Sequence, residues 1–194
     1  QYQSVDIVFH HALSSIKFNL FADRNLENTT FTVKSVVILN AYSNGNFAEK
    51  ITEGTSYKST PVWSEQSTEQ NYTVWENSTG MVLGTENDVK GLTDVSDVIL
   101  LPQNFDHSSA ENESGNKVTI RINYEVTSNG VTIPGQVATF DLSNNYKDTD
   151  SKAISAWEIG KRYTYNVKFS LNEIYFAPEV VDWVDVATAP IEVK

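Results

Sequence analysis

The sequence predicts an all-β protein, an antiparallel β-sandwich with long polar loops. Apolar and polar residues alternate with a period of two along much of the chain, and the helical period of 3.6 residues is almost absent. About ten short strand-like segments alternate with turns rich in Gly, Asn and Ser, without the strand–helix–strand rhythm of a parallel sheet. A chain of 194 residues is long enough to bury a hydrophobic core without disulfides or structural metals. We expect one domain over residues 1–194.

Composition excludes several classes of function. The chain has 14 Lys and Arg against 25 Asp and Glu, a formal net charge of −11. Such a surface repels phosphate backbones, so nucleic acid is not an expected partner. The absence of cysteine excludes disulfides and thiolate metal ligands. No run reaches the roughly 18 apolar residues of a membrane helix. The first residues lack a signal peptide, so an exported protein of this sequence is expected to be a mature or truncated form.

The first predicted strand lies in VDIVFHHALSSIKFNL, Val5–Leu20. Its apolar parity changes between Leu13 and Ile16, which predicts a bulge or a strand that passes from one sheet to the other. Adjacent residues of a strand point to opposite faces, so His10 and His11 cannot chelate one ion together. We expect a buried, hydrogen-bonded imidazole at His11, an incidental neighbour at His10, and no metal site.

The middle of the chain is predicted to contain one core strand followed by a turn and loops. FTVKSVVIL, Phe31–Leu39, has the apolar character of a sandwich-core strand. NAYSNGN, Asn40–Asn46, contains an Asn-Gly pair and is predicted to form a hairpin turn. Residues 54–70 are polar and are predicted to be largely a mobile loop. Short strands are expected near residues 71–75, 80–84 and 96–101.

The last third of the chain is predicted to contain a hairpin and the closing strands. In KVTIRINYEV, Lys117–Val126, Val118, Ile120, Ile122 and Tyr124 alternate with polar residues. The TSNG sequence after it predicts a turn into an antiparallel partner at 131–142. Further strands are expected at 162–171 and 173–176, and one or two more in the C-terminal segment.

No catalytic constellation stands out in the sequence. It lacks the G-x-S-x-G motif of serine hydrolases, the H-E-x-x-H motif of zinc proteases and a glycine-rich phosphate-binding loop. The polar loop at 104–116 contains Asp106, His107, Glu111 and Glu113, a set that could in principle hold a divalent cation. Its carboxylate oxygens suit calcium, but the spacing is not that of an EF-hand loop. We therefore predict a solvated acidic loop, no enzyme activity, no metal and no cofactor.

Three aromatic residues in the middle segment have two interpretations. Trp63, Tyr72 and Trp75 lie in a stretch that is otherwise polar. An exposed ring there could stack on the flat face of a sugar, whereas a ring packed over the edge of the sandwich would be structural. Both interpretations remain open from the sequence.

Three motifs together resemble the fimbrillin-like family of Bacteroidales, the subunits of type V pili. The first is the F-x-H-x-L run with two further apolar positions, here Phe9, His11, Leu13, Ile16 and Phe18. The second is ILLPQ, Ile99–Gln103. The third is a W-x-x-G-x-x-Y-x-Y run followed by an Ile and a closing Trp, here Trp157, Gly160, Tyr163, Tyr165, Ile174 and Trp183. We interpret Phe9, His11, Leu13, Trp157, Gly160, Tyr163, Tyr165 and Trp183 as structural framework.

The resemblance implies a transthyretin-like, Greek-key sandwich and a role in surface fibres. Such proteins have two sandwich domains, and their His-containing strand typically opens the C-terminal one, so this chain is similar to a C-terminal domain. The implied partners are other pilus subunits, and the implied location is the outer membrane surface or fimbrium, reached by a precursor with a lipid anchor. The rival interpretation is a surface lipoprotein that binds glycan or host protein and does not polymerise.

Assembly by strand addition, as implied by the family, needs a donor segment. Residues 184–194 (VDVATAPIEVK) are the best candidate, because apolar residues alternate on both sides of Ala189-Pro190. The predicted donor positions are Val184, Val186, Ile191 and Val193. The alternative is an ordinary final strand folded onto its own sandwich.

Overall fold

The computed structural model describes residues 11–24, 26–52, 58–85, 87–88, 90–92, 97–108, 115–144, 146–171 and 174–183. These ranges contain eleven strands and one 3₁₀ helix, Leu142–Asn144. The strands are β1 Ser14–Ala22, β2 Thr29–Thr52, β3 Lys58–Val82, β4 Lys90–Gly91, β5 Val98–Leu100, β6 Gln103–Asn104, β7 Thr119–Ser128, β8 Val131–Asp141, β9 Ala156–Trp157, β10 Lys161–Phe169 and β11 Ile174–Asp182. Within them, no helix is long and apolar enough to cross a membrane.

Two sheets form the predicted sandwich. One sheet has the order β11-β10-β1-β4, with β5 also paired to β1, and the other has the order β3-β2-β7-β8. A small third sheet joins β6 to β9. All pairs between these strands are antiparallel except β1 with β10, which run parallel. The all-β sandwich prediction is confirmed.

Alternating side chains of the two sheets meet in one core. In β1, Ile16, Phe18 and Leu20 are fully buried, as the apolar parity after Leu13 predicted. The paired strand β10 buries Tyr163, Tyr165, Val167 and Phe169, and β7 buries Ile120 and Ile122. Period-two burial on facing strands is what a sandwich core requires.

The hairpin of β7 and β8 also follows the prediction. Ser128 pairs with Val131 across a two-residue turn. Asn129 and Gly130 both have positive φ, 49° and 79°, the conformation of the mirror-image turns that suit the twist of paired strands.

The predicted turn at Asn40–Asn46 is wrong, and so is the predicted loop at residues 54–70 where it is described. Strand β2 continues through Asn44 and Gly45 to Thr52, and residues from Lys58 onward pair with it in β3. Register shifts between Ile38 and Ala41 and between Asn44 and Asn46 accommodate the irregular residues. Asn40 takes a φ of 59° at the first of these shifts, so a bulge replaces the expected reversal.

These two strands continue past the sheet as a two-stranded ribbon, which we call the arm. Strand β7 accompanies β2 only as far as Leu39, which pairs with Thr119. The arm consists of residues 40–52 of β2 and 58–70 of β3, and thirteen extended residues span roughly 40 Å. Its residues are mostly exposed, and this exposure explains why its composition resembles that of a loop.

Candidate functional site

The starts of β1 and β10 and the end of β11 meet in a tight junction. The N–H of Gly160 donates to the carbonyl of Leu13 (3.1 Å), and the N–H of Trp183 donates to the carbonyl of Gly160 (2.8 Å). The ring of His11 stacks on Trp183 with centroids 3.6 Å apart and planes 6° from parallel. Gly160 has a φ of 68°, a conformation that glycine adopts without steric cost. These contacts fix the backbone and the ring of Trp183, the last described residue of the chain.

His11 is partly buried, whereas its sequence pattern predicted a buried imidazole. It precedes β1, which begins at Ser14, so the strand predicted within Val5–Leu20 is present from Ser14 onward and absent at residues 11–13. His10 and Phe9 lie outside the described residues, as do the donor positions Val184, Val186, Ile191 and Val193, which stay predictions.

Behind the junction, two tyrosines hold the Trp157 segment in place. The indole Nε1 of Trp157 donates to the hydroxyl of Tyr165 (2.9 Å), and the backbone N–H of Glu158 donates to the hydroxyl of Tyr163 (2.8 Å). The three aromatic side chains are each 1 % exposed. Burial raises the pKa of both phenols well above the ordinary value of 10.0. These residues lie in the core and have no access to a ligand.

The three aromatics of the middle segment lie in different environments. Tyr72 and Trp75 are partly buried and pack against the core. Trp63 lies on the arm, where its Nε1 donates to the carbonyl of Ala12 (2.7 Å) and its ring lies 5.2 Å from that of Phe47. The structure therefore does not bring the three together as one stacking surface.

Trp63 lines an open groove between the arm and the sandwich. The groove has a volume of about 480 Å³ and is also lined by Pro61, Pro102, Asn104 and Ile159, among others. One wall is the arm and the opposite wall is formed by the β6 and β9 segments. A groove with an indole, prolines and amides can accept a ligand with a flat apolar face.

Gln103 fastens the base of the arm. Gln103 is buried, with 3 % of its surface exposed. Its side-chain oxygen accepts a hydrogen bond from the N–H of Tyr42 (2.7 Å), and its side-chain nitrogen donates to the carbonyl of Tyr42 (3.4 Å). The amide thus takes the place of a neighbouring strand at that point of β2. The ILLPQ motif did not by itself indicate this role for its Gln; a polar residue directly after an apolar run was the available signal.

His107 also holds the arm. Its ring stacks on Tyr42 with centroids 3.8 Å apart, and its Nδ1 lies 2.9 Å from Oε1 of Glu69. Asn116 donates to the other oxygen of Glu69. Glu111 and Glu113 lie outside the described residues, and the described ranges contain no cluster of three or more His, Asp or Glu suited to a metal ion.

Asp106, the other candidate ligand in this loop, is held by local hydrogen bonds. Its carboxylate accepts from the hydroxyl and the backbone N–H of Ser108 and pairs with Lys117 (3.3 Å). Hydrogen bonding from Ser108 is the main cause that lowers the pKa of Asp106 to about 2. The carboxylate therefore stabilises the loop conformation.

The described part of the chain is an open-edged β-sandwich with a ribbon arm. The whole of residues 1–183 matches the model of the family described as Fimbrillin-like. The chain therefore belongs to the fimbrillin-like family. No curated protein matches it.

Three solved structures from Bacteroides are similar to the chain. A candidate cell adhesion protein from Bacteroides uniformis is 20 % identical, with 91 % of this chain and 52 % of that one covered and a TM-score of 0.39. A fimbrial protein from Bacteroides vulgatus is 14 % identical, with coverages of 89 % and 54 % and a TM-score of 0.38. A candidate cell adhesion protein from Bacteroides ovatus is 14 % identical, with coverages of 90 % and 46 % and a TM-score of 0.35. The chain spans about half the length of these proteins.

Proposed function

We propose that this chain is part of a fimbrial structural subunit or accessory adhesin at the cell surface, with a role in adhesion and no catalytic activity. Membership of the fimbrillin-like family supports this role. Its partners are other pilus subunits, and the precursor reaches the surface by a lipid anchor. The finer proposal is that subunits join by β-strand addition, with residues 184–194 as the donor.

The observation that carries the proposal is the open architecture of the sandwich. Strands β3, β8 and β11 each lie at the end of a sheet, with a partner on one side only among the described strands. An added strand gains main-chain hydrogen bonds at such an edge and buries alternate side chains. Trp183, the residue before the proposed donor segment, is itself held by the hydrogen bond from its N–H to the carbonyl of Gly160.

Deletion of residues 184–194 from the full-length protein in producing cells tests the assembly step. We expect high-mass polymers in unboiled surface fractions to disappear, because the donor positions are gone. Thermal unfolding of the purified variant should stay close to that of the parent protein. A matched variant that replaces Val186 and Ile191 by Asp should fail in the same way, whereas Asp185→Asn should polymerise. Unchanged polymers in the deletion variant would contradict the donor role.

A second candidate function is binding of glycan or host protein without polymerisation. The groove beside Trp63 favours it, because the indole lines an open space of suitable size. On a glycan array, Trp63→Ala should lose binding, and Trp75→Ala, whose ring packs against the core, should keep it if folded. Equal loss in both variants would point to a folding defect and count against a ligand site at Trp63.

A further inference from the structure

Prolines mark the free edges of both sheets. Of the five prolines in the chain, Pro61 lies in β3, Pro134 in β8 and Pro178 in β11. These are the three long strands at sheet edges. A proline cannot donate to a ladder, so it protects an edge against unselective pairing, whereas a donor strand that leaves the proline position unpaired can still add there.

The outer edge of β2 along the arm has no such protection. Residues 40–52, NAYSNGNFAEKIT, contain no proline, and no described strand pairs with them on the side away from β3. Gln103 covers this edge only at Tyr42. From Asn46 to Lys50 every residue is exposed. An extended, unprotected edge of this kind is a site for pairing with another strand.

An aromatic side chain lies in the middle of this edge. Phe47 is 46 % exposed and contacts Trp63 on the neighbouring strand, with ring centroids 5.2 Å apart. Cross-strand aromatic pairs are among the contacts that stabilise paired strands. A two-stranded ribbon alone is marginally stable in water, so a third strand would stabilise the arm and cover this ring.

The charge of the arm favours a second copy of the chain as the partner. The chain as a whole has a net charge of −11, which opposes contact between copies over most of the surface. The arm contains three acidic residues, Glu49, Glu65 and Glu69, and two basic ones, Lys50 and Lys58, so its net charge of 2 − 3 = −1 is small. In an antiparallel pair of this edge with Phe47 opposite Phe47, as a two-fold contact requires, Glu49 faces Gly45 and Lys50 faces Asn44, so no like charges are directly opposed.

We propose that two copies of this chain pair through the outer edge of β2 in the arm, with Phe47 of both copies at the two-fold axis. The contact uses a different edge from the donor-strand assembly proposed above and does not depend on it. Pairing joins the two-stranded arms of both copies into one four-stranded sheet. The two Phe47 rings are then buried between the two Trp63 side chains.

Cysteine cross-linking tests the contact directly, because the native chain has no cysteine. Phe47→Cys introduces one thiol, and Cα atoms of directly opposed strand residues lie about 4.5 to 5.5 Å apart, within reach of a disulfide. Under a mild oxidant we expect Phe47→Cys to form covalent dimers far faster than Val131→Cys. Val131, 66 % exposed on β8, is the matched control. Equal cross-linking rates would overturn the proposal.

Analytical ultracentrifugation of the native chain provides a second, independent test. We expect a concentration-dependent dimer, with a dissociation constant raised about tenfold or more by Phe47→Glu and unchanged by Val131→Glu. Circular dichroism should show the same strand content in both variants. A native chain that stays monomeric at high concentration overturns the proposal, as does a dimer that Phe47→Glu leaves intact. Binding of a different subunit by this edge, without self-association, would also overturn it.

Discussion

The buried hydrogen bond between Trp157 and Tyr165 gives the sharpest test of the fold. Tyr165→Phe removes the hydroxyl that accepts from the indole Nε1 at 2.9 Å and leaves that donor without its partner. Both side chains are 1 % exposed, so water cannot replace the bond without rearrangement. An unsatisfied buried donor costs about 1 to 3 kcal/mol, and we expect the free energy of unfolding to fall by this amount.

Urea denaturation followed by tryptophan fluorescence measures the loss. For a chain of this size each kcal/mol lowers the melting temperature by about 2 to 4 °C. Tyr175→Phe is the matched control, because that side chain is 47 % exposed and surface changes usually cost less than about 0.5 kcal/mol. A double-mutant cycle with Trp157→Phe isolates the pair. If Tyr165→Phe costs no more than Tyr175→Phe, the assignment of this bond as a stabilising element is refuted.

Three further perturbations test the junction, the arm and the buried phenols. Gly160→Ala should destabilise the protein by about 1 to 2 kcal/mol because of the positive φ, and Gly160→Asn should cost less; equal costs in urea denaturation would contradict this reasoning. Gln103→Ala should speed hydrogen exchange at the amide of Tyr42, which loses its acceptor; unchanged exchange would show that another group satisfies it. The raised pKa of Tyr165 keeps the folded phenol protonated above 10.0, where the unfolded phenol ionises. Stability is therefore full below pH 10 and falls as the pH rises beyond it; an equally steep fall in Tyr165→Phe would refute the contribution of this group.

The core strands could be predicted from the sequence because their signal is local. Ile16, Phe18 and Leu20 alternate with polar residues, and each is buried in β1 as expected. The Asn129-Gly130 turn was readable for the same reason, since positive φ at both positions suits these two residue types. Where one face of a strand packs on the core, apolar and polar residues alternate along the sequence, and this alternation is visible without the structure.

The arm could not be predicted, because its stability depends on a partner strand rather than on its own pattern. Asn44-Gly45 is a strong hairpin signal in isolation. It lies within β2 here because Ser67 and Ser64 of β3 pair on either side of it. Residues exposed on both faces of a ribbon carry no alternation, so the polar composition was interpreted as a loop.

The sequence by itself determined the fold class, the parity of the core strands and the resemblance to fimbrillin-like proteins, since all three rest on residue type and spacing along the chain. Only the tertiary structure decided the parallel pairing of β1 with β10, the Gln103 contact with Tyr42, and the place of His107 against the arm. These contacts join residues far apart in sequence, and no local pattern encodes which distant backbone or ring a side chain will meet.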